Sequence, residues 1–329
     1  MNKRGIIIFI IVVIIIVGII IGSQIYTNNN AVANIEENNS EISENSIQTN
    51  SVDVNDYYAE EDLTVVQTGE ERNINLWHEG NIPTTTNYTR NNGNYFDDPD
   101  FMPYMTEYPV PDGIEVKGAV LINPGGAFQF RAERPEGLDV AEALSNLGYK
   151  CFVVHYRVRP YTMQEGALDL ARAVRYVRNH SEEYGIDEDN IAIIGFSAGG
   201  ILCGEEILNF DGLTNGTELD SSYVPDELDN VSADVKAVGF IYSFYGRLAN
   251  ASTDVELFRN SNLPPAFFAY GTEDPFYSQM NACVDALEEA GTEVEQHVFE
   301  GAPHGFGAGS SNSNWTGYFD TWLSNIFAN

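Results

Sequence analysis

The chain has 329 residues, with 49 Asp or Glu against 16 Lys or Arg and a formal net charge of −33. A surface this negative argues against nucleic acid or anionic lipid headgroups as the main partner. The cysteines, Cys151, Cys203 and Cys283, form no CxxC and no metal-ligand spacing, so they read as small buried hydrophobes rather than a disulfide framework or a metal site.

Residues 1–26 read as an export segment. Lys3 and Arg4 precede an unbroken apolar run over 5–22. As a helix rising ~1.5 Å per residue, that run spans roughly 27 Å, close to the hydrocarbon thickness of a bilayer. Two readings stand: an uncleaved membrane anchor, favoured because the run is long for a signal peptide, or a signal peptide cleaved after Ala31-Val32-Ala33. Both keep Lys3 and Arg4 on the cytoplasmic side and place the rest outside. The membrane is then a partner only through this segment. Residues 27–62, rich in Asn, Glu and Ser, lack hydrophobic periodicity and read as a flexible tether. Residues 63–329 are long enough for one large domain.

Within that domain β-rich runs alternate with helical spacing. Strands are expected at 74–77, 118–122, 150–156, 191–195, 235–241, 265–270 and 294–299. Helices are expected at 138–147, 163–184, 198–208, 277–290 and 315–327, the second with Leu170, Ala173, Val174 and Val177 on one face. This alternation implies an α/β fold of three layers: a mostly parallel central sheet with helices on both faces. Chemistry is then expected at the carboxyl ends of the strands. Residues 211–230 form an insertion that reads as a surface loop, with a lid as the alternative.

Gly195-Phe196-Ser197-Ala198-Gly199-Gly200 ends a strand and opens a helix. A sharp turn there lifts the Ser197 hydroxyl above the sheet, and glycines flank it because side chains would collide with backbone. The helix N-terminus behind Ser197 offers free N–H groups where an oxyanion can form. The earlier strand ends in Asn123-Pro124-Gly125-Gly126-Ala127-Phe128. The N–H groups of Gly126 and Ala127, with that of Ala198, are the expected oxyanion donors. A serine needs a base to take its proton. Of the five histidines, only His304 lies in a loop just past the last strand; His78, His155, His180 and His297 read as packing or surface residues. The acid that orients the base should follow the preceding strand, where Glu273 and Asp274 stand side by side. Asp274 is favoured because it sits in a G-x-x-D-P turn before the next helix, with Glu273 as the alternative. No metal or organic cofactor is implied, since this chemistry needs none.

With these residues in place, the chain resembles the esterase/lipase branch of the α/β-hydrolases, and in particular bacterial acetylxylan-esterase-like and feruloyl-esterase-like enzymes. The resemblance spans about 63–327. Beyond the Ser197 and His304 motifs it rests on Leu76-Trp77, Gly80-Asn81-Ile82-Pro83, Glu136-Gly137, Tyr156-Arg157-Val158 with Pro160, and Asp169 with Arg172 and Arg175. It implies the α/β-hydrolase fold, the order Ser197, Asp274, His304 along the chain, and short acyl esters as substrates, particularly acetyl groups on plant polysaccharides. The family loop usually reads P-G-G-G-Y, and Ala127-Phe128 departs from it. A serine peptidase related to the prolyl-oligopeptidase group and a non-catalytic surface binding module on a hydrolase scaffold are the alternatives.

Overall fold

The computed structural model describes residues 72–309 and 313–328. The expected export segment (1–26), the expected tether (27–62) and the first residues of the expected domain (63–71) lie outside them. Among the described residues no helix is long and apolar enough to cross a membrane.

In chain order the strands are β1 (Arg72–Asn75), β2 (Tyr104–Tyr108), β3 (Gly118–Asn123), β4 (Tyr149–His155), β5 (Ile191–Phe196), β6 (Ala237–Ile241), the ribbon strands β7 (Gly246–Arg247) and β8 (Asn250–Ala251), β9 (Ala266–Gly271) and β10 (Val294–Phe299). The main helices are α1 (Asp139–Ser145), α2 (Met163–Asn179), α3 (Ala198–Asn209), α4 (Val255–Asn260), α5 (Tyr277–Ala290) and α6 (Thr316–Phe327).

β3, β5, β6 and β9 are buried at every residue. Both of their faces are covered, which explains why they are apolar at successive rather than alternate positions. α1 packs with α6, and α2 with α3. The sheet runs β1-β2-β4-β3-β5-β6-β9-β10. β1 and β2 pair antiparallel, β2 meets β4 antiparallel, and the remaining pairs are parallel. The chain leaves β3 for β4 on one side, then returns past β3 to β5 on the other. The connections at the carboxyl ends of β3 and β5 thus diverge, which opens a crevice at that switch point. Asn123 pairs with Gly195 there, so the loop after β3 and the turn at Ser197 start side by side.

α2 begins with a reciprocal capping box between Thr162 and Glu165. Its expected face, Leu170, Ala173, Val174 and Val177, is fully buried. The helix stops at Asn179 rather than running to 184, where the backbone of His180 leaves the helical region at φ −109° and ψ 17° and its ring stacks on Tyr176 at 4.0 Å. Ser181–Tyr184 then forms a separate turn. β2 and α4 were not expected. β2 is a five-residue run between Pro103 and Pro109, and α4 has six residues capped by Asp254. Both are too short for periodicity to register.

Residues 211–230 are pinned as a flank of α2. Arg172 forks onto Asp226, Arg175 donates to the carbonyls of Gly212, Thr214 and Val231, and Asn81 exchanges two hydrogen bonds with Val224. Beneath lies the buried pair Arg157–Asp169 at 2.8 Å, with Trp77 Nε1 donating to Asp169 at 2.7 Å. Of the Asp169, Arg172 and Arg175 positions of the resemblance, the two arginines therefore hold this flank and Asp169 holds the Arg157 and Trp77 side chains beneath it.

Candidate active site

Ser197 is the N-cap of α3, with φ of 50° and ψ of −117°. A serine in this region is strained, and the surroundings must enforce it. They do so through its backbone. The Ser197 N–H donates to Ile241 O at 3.1 Å. Its carbonyl accepts from Ser243 Oγ at 2.6 Å. The glycines let strands and helix close on the turn. A Cβ on Gly195 would stand 2.3 Å from Gly199 O, one on Gly199 2.0 Å from Asn123 O, and one on Gly200 2.5 Å from Ser243 Cβ. Contacts this short leave room for hydrogen only.

The hydroxyl meets the expected histidine. His304 Nε2 lies 2.9 Å from Ser197 Oγ, and His304 Nδ1 lies 2.7 Å from Asp274 Oδ2. Asp274 has a fully buried side chain. Its other oxygen, Oδ1, accepts from the Phe276 N–H at 2.8 Å, so the carboxylate is held from both sides. Glu273, the alternative, is exposed. The remaining histidines sit elsewhere. His78 is largely exposed near Asp226, His155 stacks on Tyr104 between Glu133 and Thr106, His180 stacks on Tyr176, and His297 stacks on Tyr318.

The loop after β3 turns through three successive left-handed residues, Gly126 at φ 131°, Ala127 at 55° and Phe128 at 57°. It packs directly on the serine: a Cβ on Gly125 would stand 2.9 Å from Ser197 Cβ. The Gly125 N–H is consumed by Glu136 Oε2 at 2.7 Å. Among the described residues the N–H groups of Gly126, Ala127 and Ala198 have no protein acceptor. They are thus available to a ligand oxygen. Ala127, where the family loop has glycine, accepts a left-handed conformation at some cost.

Two side chains beside the site had no role assigned to them by motif or spacing. Glu136, 8% exposed, accepts from the Gly125 N–H and, at 2.8 Å, from Tyr242 OH. Burial pushes its carboxyl above the usual range, while these two bonds and the nearness of His304 pull it back. Tyr242 follows β6 in the left-handed region, and its ring packs edge-on against His304. Burial, reinforced by Glu136, raises its phenol well above the ordinary value, so it stays protonated and donates. Glu136 did belong to the family pattern, but nothing in the string says which backbone group it holds. Among the described residues no group of three or more His, Cys, Asp or Glu side chains is placed to hold a metal ion. The three cysteines are free and buried, as expected.

A serine, an aspartate and a histidine that follow one another in that order along the chain and meet at the carboxyl edge of a mostly parallel sheet define the α/β-hydrolase class. Known proteins agree. The BD-FAE family model matches residues 110–254 and the alpha/beta hydrolase fold model residues 239–308. An acetyl ester-xyloside bifunctional hydrolase from Caldicellulosiruptor lactoaceticus superposes with a TM-score of 0.60 at 25% identity, covering 80% of this chain and 98% of that one. Endo-1,4-beta-xylanase B of Butyrivibrio fibrisolvens is 28% identical over 74% of this chain and 39% of its own length. Acetylxylan esterase of Xylanibacter ruminicola is 24% identical over 66% of this chain and 45% of its own. The chain thus spans less than half the length of these two curated relatives. It has the α/β-hydrolase fold and is similar to esterases of that fold.

Proposed function

We propose that this chain is a serine esterase that removes short acyl groups, acetyl foremost, from carbohydrate or other small esters. The observation that carries the reading is the pair of contacts at His304, 2.9 Å to Ser197 Oγ and 2.7 Å to Asp274 Oδ2. Asp274 keeps the Nδ1 proton in place, which leaves Nε2 free to accept the Ser197 proton as Oγ attacks the ester carbonyl. The carbonyl oxygen becomes negative and meets the N–H groups of Gly126, Ala127 and Ala198. Collapse breaks the bond to the alcohol, which leaves with the proton from Nε2. Water, deprotonated by His304, then releases the acid from the acyl-serine.

The choice of acetyl on polysaccharide is supported by the names of the relatives, an acetylxylan esterase and an acetyl ester-xyloside hydrolase. Export through residues 1–26, either anchored or cleaved, belongs to the same proposal and suits a polymer too large to import. Hydrolysis of p-nitrophenyl acetate, abolished in Ser197→Ala, is the expected result; retained turnover in that variant rejects Ser197 as nucleophile. Release of acetate rather than ferulate from xylan fragments tests the acyl group. Cleavage of peptide amides without ester turnover would replace this reading with the peptidase one.

A further inference from the structure

The oxyanion loop and the histidine loop lie far apart in the chain, yet one run of hydrogen bonds joins them. The Gly125 N–H donates to Glu136 Oε2 at 2.7 Å, Tyr242 OH donates to Glu136 Oε1 at 2.8 Å, and the Gly307 N–H donates to Tyr242 Oη at 3.1 Å. Gly307 lies three residues past His304, and its carbonyl is held from behind by Trp315 Nε1 at 2.9 Å. The Tyr242 ring touches His304 at 4.8 Å and Phe306 at 4.7 Å between centroids.

We propose that Glu136 and Tyr242 act together as a strut that aims the oxyanion loop and holds it in register with His304, making both of them positioning residues for the reaction at Ser197. This rests on the reading of Ser197 as the nucleophile. Glu136 takes the Gly125 N–H, while the next two N–H groups along the loop have no protein acceptor. Through Tyr242 the same carboxylate is tied to the backbone that carries His304. The donors that meet the developing charge and the base that moves the proton therefore share one anchor. Both carboxylate oxygens are occupied, so Glu136 has no free atom to offer a substrate, and its effect must pass through the groups it holds. A buried carboxylate with only donors as partners is a demanding arrangement, since every partner lost leaves an unpaired polar group.

The test uses Glu136→Gln, Tyr242→Phe and the double variant in the full chain. Glutamine keeps the shape but offers one acceptor oxygen where the carboxylate offers two, so either the Gly125 N–H or the Tyr242 hydroxyl loses its acceptor. Phenylalanine keeps the ring against His304 and cuts the tie to Gly307. Active sites are titrated with a fluorophosphonate, so that kcat is counted per reactive serine and loss of folded protein drops out. Each single variant is expected to lose about 10–100-fold in kcat on p-nitrophenyl acetate, short of the ~10²–10³ cost of deleting an oxyanion donor outright. KM should stay within about threefold, and Ser197 should label more slowly by a similar factor. The double variant should be no slower than the slower single, because one strut can be cut only once. Titrated kcat and labelling rate within twofold of wild type in either single variant overturn the proposal, as do losses that multiply in the double. If Glu136→Gln does not fold, Tyr242→Phe decides by the same criteria. Failure of the underlying reading looks different: Ser197→Ala stays active, or the wild-type serine does not label.

Discussion

Replacing Asp274 by asparagine is expected to trap His304 in the wrong tautomer. The wild-type carboxylate has two jobs: Oδ1 accepts from the Phe276 N–H at 2.8 Å, and Oδ2 faces His304 Nδ1 at 2.7 Å. A backbone N–H can only donate, so the asparagine carbonyl must stay on the Phe276 side. The amide NH2 is then forced toward Nδ1, in a side chain with no exposure and no room to turn. Nδ1 must accept, the ring proton moves to Nε2, and Nε2 can no longer take the proton of Ser197 Oγ 2.9 Å away. Serine proteases in which the orienting acid is changed this way lose about 10⁴ in kcat, which corresponds to about 5 kcal/mol of barrier. The assay is kcat and KM on p-nitrophenyl acetate, with Glu273→Gln in parallel and thermal unfolding to show that both variants fold. Asp274→Asn should lose about 10³–10⁴ in kcat with little change in KM. Glu273→Gln, exposed and outside the contact, should stay within about twofold of wild type. A loss below about tenfold in Asp274→Asn, or a comparable loss in Glu273→Gln, would refute the assignment of the orienting acid.

Two further predictions concern the loop and the flank. Gly126→Ala should lower kcat by about 10²-fold, because the added Cβ meets Phe130 O at 2.0 Å and the loop must shift; Gly301→Ala, at a similarly left-handed but open position, should affect stability alone. Glu165 is fully buried. Burial raises its pKa, but hydrogen bonds from Thr84, Thr86 and Thr162 outweigh that and lower it from 4.5 to about 2. A carboxylate whose folded pKa is depressed contributes stability that is fully present above the unfolded value and is lost as pH falls through the folded one. The window here is from about 4.5 down to about 2, and the contribution is at most about 3 kcal/mol. Thr86→Val removes the hydroxyl that donates to Glu165 at 2.6 Å. Denaturant titrations should find it less stable by about 1–2 kcal/mol at pH 7, with the difference shrinking toward pH 2; a difference independent of pH would show that Glu165 is not the group responsible.

Much of the fold could be read in the string because the physics behind it is local. Continuous apolar runs such as 119–122 and 191–194 mark strands covered on both faces, and the spacing in α2 marks its buried side. The motif around Ser197 carries its own geometry, since the glycines on either side are demanded by contacts within a few residues and with the adjoining strand. Position after the last strand singled out His304 among five histidines. Short elements were another matter. β2 and α4 take their stability from neighbours rather than from their own pattern, and no local signal announced them.

The sequence by itself determined the class of the fold, the strained serine turn and the order in which the three candidate residues follow one another, because each is written in spacing along a few consecutive residues. Only the tertiary structure put Asp274 rather than Glu273 against His304, joined Glu136 to Tyr242 across 106 positions, and laid residues 211–230 along α2. Hydrogen bonds between distant segments depend on where the sheet brings those segments, and a linear pattern does not encode that placement.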